Sequence, residues 1–297
     1  MKSGFVTLLG KPNAGKSTLM NTLVGEKVSI VSWRPQTTRN KITGILTTDD
    51  YQIVFLDTPG IHSPRNSLGS YMMKSARSAA KEVDAIVYVA DAGREMDERD
   101  FDLMRKYISE GTPVIAVVNK TDEVTPEKVA SELNKLKSVE GLTAVIPMSA
   151  LKNRNVEPLL DELVKLMPEG QLFYPEDMIT DKTERFMIGE IIREKALRFL
   201  SEEVPHGIGV EVRKFTERDT GIIDIVADII CEKQSHKGII IGKGGAMLKR
   251  ISTASREDME DLLGHKVFLT VFVRVKEEWR DDDSVLRELG YDKKNID

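Results

Sequence analysis

Gly10-Lys-Pro-Asn-Ala-Gly15-Lys16-Ser17 fits the pattern G-x-x-x-x-G-K-[ST], and its neighbours are those the pattern requires. Residues 5–9 (FVTLL) read as a buried strand and residues 18–24 (TLMNTLV) as the opening of a helix. The two glycines let the backbone curl until its N–H groups converge on an anion, at a helix N-terminus whose dipole already favours negative charge. The stretch Gly10, Lys11, Pro12, Asn13, Ala14, Gly15, Lys16, Ser17 and Thr18 is therefore expected to cradle phosphates. Lys16 should reach the outer phosphates. The Ser17 hydroxyl should ligate Mg²⁺, a hard cation that takes oxygen ligands.

Residues 26–40 show no period and are rich in Ser, Thr, Arg and Pro, which suits a mobile loop. They include Thr37-Thr38-Arg39. A nucleotide switch needs an oxygen that touches Mg²⁺ only while a γ-phosphate is present, and Thr38 is the candidate. Residues 51–56 (YQIVFL) read as a second strand ending in Asp57-Thr58-Pro59-Gly60, with Ile61 next, and these five residues complete the expected phosphate-binding set. A carboxylate at that strand end can hold an Mg²⁺-bound water, and Gly60 can offer a backbone N–H to the γ-phosphate. Ser17, Thr38 and Asp57 thus form the expected metal set, with Asp57 acting through water. Lys16, Thr38, Gly60 and Asn13 form the expected catalytic set.

Two continuous apolar runs, 85–90 (AIVYVA) and 113–118 (PVIAVV), are too short for helices and lack alternation, so they read as inner strands of a parallel sheet. Residues 98–109 between them read as a helix. The second run delivers Asn119-Lys120-Thr121-Asp122. The Asp122 carboxylate can accept from the ring N–H and the exocyclic amine on one edge of guanine, a donor pair that adenine lacks. Leaving a buried carboxylate unpaired gives on the order of 10⁴-fold rejection. The Lys120 stem can lie on the base. Residues 144–148 form a further strand, after which a backbone N–H of Ser149-Ala150-Leu151 can meet the guanine carbonyl, and a helix at 156–167 closes the domain.

Phosphate loop, switch threonine, D-x-x-G, N-K-x-D and S-A-L, each at the end of its own strand, resemble the translation-factor branch of small GTPases over residues 1–170. The implied fold is an α/β P-loop GTPase domain, a mostly parallel sheet with helices on both faces. One departure matters. Where Ras-like GTPases carry a glutamine that orients the attacking water, this chain has Ile61, whose alkyl side chain cannot hold a water. Asn13 beside Pro12 is similar to GTPases that use K⁺ for the charge an arginine finger supplies, so K⁺ is a candidate second cation. The competing reading of Asn13 is a turn residue chosen for its backbone geometry.

At 297 residues with net charge −5, the chain is long enough for two domains. It has no run of about 20 apolar residues and no signal-peptide layout at its start, so a cytoplasmic location is expected. The single Cys231 forms no internal disulfide, and the four histidines lack metal-ligand spacing. Residues 168–175 hold two prolines and a glycine and read as a linker, set at 171–182, with the second domain running over 183–297. The charge deficit lies wholly in residues 171–297, which hold 21 basic and 26 acidic side chains against 22 and 22 before them. Within that acidic half, the segment from Lys233 to Arg256 contains six basic residues and no acid. Local sign is what a polyanion meets first.

That segment contains Gly242-Lys243-Gly244-Gly245. A G-x-x-G loop between helices lets the backbone and Lys243 approach a nucleic-acid backbone, and residues 239–241 are expected to form an apolar floor under unstacked bases. The candidate RNA-binding set is Lys237, Ile239, Ile241, Gly242, Lys243, Gly244, Gly245, Lys249 and Arg250. Around it, a helix at 184–203, two alternating strands at 209–215 and 222–230, a strand at 267–275 and a helix at 279–289 complete an α-β-β-α-α-β order. This resembles an α+β type II KH domain.

A GTPase followed by such a domain, with P-N-A-G-K-S-T, Q-T-T-R, D-T-P-G and N-K-T-D all present, is similar to bacterial Era-type GTPases across the chain. The resemblance implies slow intrinsic turnover of GTP to GDP with Mg²⁺ and binding near the 3′ end of small-subunit (16S) ribosomal RNA. It also implies a part in assembling the small ribosomal subunit and processing its RNA, with peripheral association at the inner face of the cell membrane as a further implication. A monomer is the favoured state. The alternative is a GTPase acting in tRNA modification or at a membrane, with the C-terminal domain as a protein-interaction module.

Overall fold

The computed structural model describes residues 1–34, 36–61 and 63–292. The chain divides into two compact units, Met1–Ser63 with Met72–Asp181, and Pro64–Tyr71 with the chain from Lys182 onward. In chain order the first eleven elements are β1 (Lys2–Leu9), α1 (Lys16–Val24), β2 (Ile42–Thr47), β3 (Tyr51–Asp57), α2 (Ser67–Ala79), β4 (Ala85–Asp91), α3 (Glu98–Ser109), β5 (Val114–Asn119), α4 (Pro126–Lys137), β6 (Ala144–Pro147) and α5 (Val156–Leu166).

The strands form one six-stranded sheet in the order β2-β3-β1-β4-β5-β6, parallel except for the antiparallel β2–β3 pair. The apolar runs of β4 and β5 explain their central place. Ile86, Tyr88, Val114, Ala116 and Val118 pack with Met104 and Tyr107 of α3 and Leu136 of α4. The alternate residues Val87, Val89, Ile115 and Val117 are just as buried, so the opposite sheet face is covered too. Three elements go beyond the sequence reading: β2, α2 and α4. The α4 start carried a readable signal, since Thr125 caps Lys128 N and Pro126 occupies the first turn.

The stretch expected as a linker forms no helix or strand, yet residues 171–181 are bonded to the first unit. Gln52 accepts from Phe173 N at 2.8 Å and Tyr174 N at 3.1 Å, and Ile45 N donates to Ile179 O at 2.9 Å. The Phe173 ring lies 4.6 Å from that of Phe5.

The second unit contains α6 (Glu184–Phe199), β7 (Gly209–Glu217), β8 (Ile223–Cys231), α7 (Gln234–Ile241), α8 (Ala246–Leu263), β9 (Val267–Val275) and α9 (Asp283–Glu288). Its sheet runs β7-β8-β9, antiparallel then parallel. Ile188, Ile192 and Ala196 of α6 and Ile251 and Met259 of α8 pack on Ile225, Ala227 and Ile229 of β8 and Val267 and Val273 of β9. Cys231 is buried in this core.

Two expectations change here. The helix at 184–203 ends at Phe199, and a 3₁₀ turn, Val204–Gly207, follows. The closing helix at 279–289 is broken into a 3₁₀ turn, Trp279–Asp281, and α9, because Asp282 turns its carboxylate onto Ser284 N and Val285 N and restarts the helix. Trp279 is fully buried, its indole N–H donating to Gly207 O at 2.9 Å.

Candidate nucleotide and RNA sites

The phosphate loop lies between β1 and α1. Gly15 caps α1 with φ of 98°, and a Cβ there would fall 2.2 Å from Asn119 Nδ2. At Gly60, just beyond β3, a Cβ would fall 2.6 Å from Pro12 Cα, so D-x-x-G approaches the phosphate loop more closely than any side chain permits. A cleft of about 380 Å³ opens here, lined by Pro12, Asn13, Gly15, Lys16, Ser17, Thr18, Thr37, Thr38, Gly60, Asn119, Lys120, Asp122, Ser149 and Leu151 among others.

At its floor Asp57 Oδ2 accepts from Ser17 Oγ at 2.6 Å, Ser29 Oγ at 3.0 Å and Thr38 Oγ1 at 3.3 Å. The Ser17 and Thr38 hydroxyls are 2.9 Å apart. Asp57 is fully buried and its Oδ1 has no partner. Burial pushes its carboxyl above the usual range, against the nearby Lys16 charge and the three hydroxyls. An orphaned carboxylate oxygen beside hydroxyls is an all-oxygen donor set that suits a hard divalent cation. Lys16 is buried as well and donates to Gly10 O at 3.1 Å and Lys11 O at 3.0 Å, while burial pushes its ammonium down to about 8 despite the Asp57 charge.

Other expected residues have different side-chain partners. Lys11 reaches away from the cleft to Asp97 at 3.0 Å and Asp100 at 2.7 Å at the start of α3, so only its backbone is available to a phosphate. Thr58 Oγ1 donates to Leu8 O at 2.7 Å. Ile61 packs against the α3–α4 core, and its N–H donates to Gly10 O at 3.2 Å. Asn13 has φ of 65° and donates through Nδ2 to Trp33 O at 2.5 Å, which supports the turn reading and leaves Oδ1 as an acceptor.

At the base end, Asn119 is 1% exposed and both ends of its amide are engaged: Nδ2 donates to Ala14 O at 2.9 Å, and Oδ1 accepts from Ala150 N at 3.0 Å. Thr121 Oγ1 donates to Met148 O at 3.0 Å. These two residues therefore brace the loops at this end of the cleft. Lys120 pairs with Asp91 at 2.7 Å, which fixes its stem across the cleft. Asp122 is exposed in the cleft, and the Ser149 hydroxyl beside it holds its carboxyl below the usual range. The N–H groups of Ser149, Ala150 and Lys152 already donate to Arg154 O, Asn119 Oδ1 and Ser149 Oγ, leaving that of Leu151 for a ligand.

Sequence reasoning missed Ser29, Trp33 and Arg94. The first two lie in the loop already marked as mobile. Arg94 lines the cleft three residues past the end of β4 and donates to Pro12 O at 3.3 Å; the rule that ligands gather at the carboxyl ends of parallel strands could have found it.

In the second unit the G-x-x-G loop joins α7 to α8 with φ of 73° at Gly242 and 59° at Gly244. Lys243, Gly244, Lys249 and Arg250 are exposed, Gly245 and Lys237 half-buried, and the Arg250 guanidinium lies 4.2 Å from the Phe199 ring. The apolar floor needs correction: Ile240 is fully buried in the core and Ile241 packs partly against it, which leaves Ile239 as the exposed member. A helix turns by 100° per residue, so three consecutive residues cannot share one face.

The family model for 50S ribosome-binding GTPases matches residues 5–120, and that for the KH domain matches residues 203–280. GTPase Era of Clostridium kluyveri is 54% identical over 98% of this chain and 99% of its own, and that of Clostridium novyi (strain NT) is 53% identical over 98% and 99%. This chain belongs to the Era family of GTPases. It is therefore a GTP hydrolase with a P-loop GTPase domain and a C-terminal KH domain. Two solved Era structures superpose with a TM-score of 0.94. One is an Aquifex aeolicus Era variant bound to GDP and AlF₄⁻, 39% identical over 98% of this chain and 100% of that one. The other is Era in complex with MgGDPNP and nucleotides 1506–1542 of 16S ribosomal RNA, 40% identical over 98% and 99%.

Proposed function

We propose that this Era-family GTPase is a GTP-driven switch that binds 16S ribosomal RNA near its 3′ end and assists small-subunit assembly and RNA processing. The observation that carries the switch is the cluster of Ser17, Thr38 and Asp57, in which a loop threonine meets the two residues that a P-loop cation needs. Ser17 and Thr38 would hold Mg²⁺ directly and Asp57 through water; the ion supplies charge neutralisation for phosphoryl transfer. Thr38 leaves this set when the γ-phosphate is lost. Lys16 and the backbone of the phosphate loop orient the phosphates, and Gly60 meets the γ-phosphate through its N–H. Asp122 and the Leu151 N–H read guanine, braced by Asn119.

Ile61 cannot orient the attacking water, so that group comes from elsewhere in the site; separately, Asn13 Oδ1 with K⁺ is the proposed source of the charge an arginine finger supplies. The RNA reading is supported by the solved Era–RNA complex and by the acid-free G-K-G-G loop. The description of large-subunit binding belongs to the match over residues 5–120, outside the domain that carries this loop. We place the activity in the cytoplasm, with peripheral membrane association as a separate proposal. No observation favours tRNA modification.

The test is a nuclease footprint on isolated small-subunit RNA with a slowly hydrolysed GTP analogue and with GDP, at one stated salt concentration. Protection near the 3′ end that is stronger with the analogue is expected. No protection there, or equal protection with both nucleotides, overturns the reading.

A further inference from the structure

The three-stranded sheet of the second unit covers its core with one face and leaves the other to solvent. Along β9 the alternation is regular: Val267 and Val273 are buried and Leu269, Val271 and Val275 pack on the core, whereas Phe268, Phe272 and Arg274 are exposed. Phe268 is 57% exposed and Phe272 49%. Four residues apart on one strand, they stand on the same face about 13 Å from each other. Scattered apolar side chains on a surface need no explanation, but two phenyl rings on one open sheet face, each beside an arginine, do.

The Arg213 guanidinium lies 5.6 Å from the Phe272 ring and that of Arg218 lies 5.1 Å from the Phe268 ring. Charge is layered on this face. Asp228, fully buried, is held by Arg213 at 3.0 Å and Arg274 at 2.6 Å, and Asp224, half-buried, is held by Lys214 at 3.5 Å and by Arg218. Each acid is sunk beneath two cations that reach solvent. Among the described residues of the three strands, Glu211, opposite Asp228 in register and half-buried, is the remaining acid on this face; Glu217, exposed at the end of β7, lies opposite the buried Ile223 and so belongs to the inner side, and the exposed Asp219 lies in the turn between β7 and β8. The outermost charges are thus cationic in a domain that is acidic overall. β9 is also an edge strand, and α7, which leads into the G-x-x-G loop, packs against it.

We infer that the outer face of the β7–β8–β9 sheet is a second RNA-contact surface, on which unstacked bases lie against Phe268 and Phe272 while Arg213, Arg218 and Arg274 face phosphates. Base–aromatic stacking tolerates any base because every base has a π-face, so this surface adds affinity and length of grip without adding sequence reading. The inference rests on the RNA reading of the preceding section.

The test uses the full chain and an RNA spanning nucleotides 1506–1542 of 16S ribosomal RNA, with the dissociation constant measured at fixed salt. Phe268→Ala combined with Phe272→Ala should weaken binding by at least about tenfold, with an unchanged melting transition because both rings are exposed. Phe272→Leu, which keeps apolar area but cannot stack, should lose as much as Phe272→Ala, and Phe272→Trp should bind like the unmodified chain. Gly244→Asp is measured in parallel. If it abolishes binding while the double alanine variant binds within twofold of the unmodified chain, the sheet face does not touch RNA and the inference fails with the loop reading intact. Weakening by alanine but not by leucine replaces stacking with plain apolar contact and overturns it as well. An unmodified chain that does not bind this RNA overturns both.

Discussion

Asn119 donates to the Ala14 carbonyl at 2.9 Å, so the residue that opens the guanine motif is hydrogen-bonded to the middle of the phosphate loop. Its other amide end holds Ala150 at 3.0 Å, and three loops from three strand ends meet on one buried side chain. Asn119→Ala should therefore weaken GDP and GTP alike. Two buried backbone groups lose partners, at about 1–3 kcal/mol, or roughly 5- to 150-fold in affinity. Titration with a fluorescent GDP decides it: a loss below twofold would show that the loops hold their places without this brace.

Asp122→Asn should weaken GTP and improve binding of xanthosine triphosphate. Xanthine carries a carbonyl acceptor where guanine carries its amine, which matches an amide donor and not a carboxylate. Competition between the two nucleotides on the variant measures the exchange, and equal loss for both removes Asp122 from base reading.

Replacing K⁺ by Na⁺ should slow GTP hydrolysis, and Asn13→Ala should abolish the difference between the ions. Steady-state phosphate release in matched chloride salts is sufficient. Should the unmodified chain hydrolyse GTP equally in both, Asn13 is a turn residue, as its φ of 65° allows.

Gly244→Asp should abolish RNA binding with the melting transition retained. A Cβ at Gly244 meets no atom within 4 Å and its φ is 59°, a conformation aspartate tolerates better than most residues. On the proposed RNA reading, the added carboxylate projects toward an approaching phosphate and repels it. Normal RNA binding by this variant would move the RNA site away from the G-x-x-G loop.

Glu260 on α8 accepts from Val267 N and pairs with Lys266 and Arg256, which hold its carboxyl down at about 2. A depressed carboxylate contributes stability that is present above its unfolded pKa of about 4.3 and is lost as pH falls through the folded value. Glu260→Gln should therefore lower the melting temperature at pH 7 and converge with the unmodified chain near pH 2. A difference that persists undiminished at low pH excludes this linkage.

Features encoded by short-range chemistry could be read directly along the chain. A phosphate cradle is built from consecutive residues at a strand–helix turn, so its glycines, Lys16 and Ser17 could be read from spacing. The apolar runs of β4 and β5 announced central strands because both faces are buried. The G-x-x-G loop was legible for the same local reason. Ser17, Thr38 and Asp57 were legible as members of the Asp57 cluster, but its geometry was not, because they are far apart along the chain; Ser29 carries no motif and was not legible at all. Tertiary structure alone decided that Lys11 turns to α3 and that Ile240 faces the core between exposed and half-buried neighbours. It alone turned Asn119 inward as a brace and set Phe268 and Phe272 outward on β9. In residues 267–275 every position except Thr270 and Arg274 is apolar, so the pattern of the strand does not say which face is covered. The helices packed on one side of the sheet answer that, and they do so through contacts between residues that no local pattern connects.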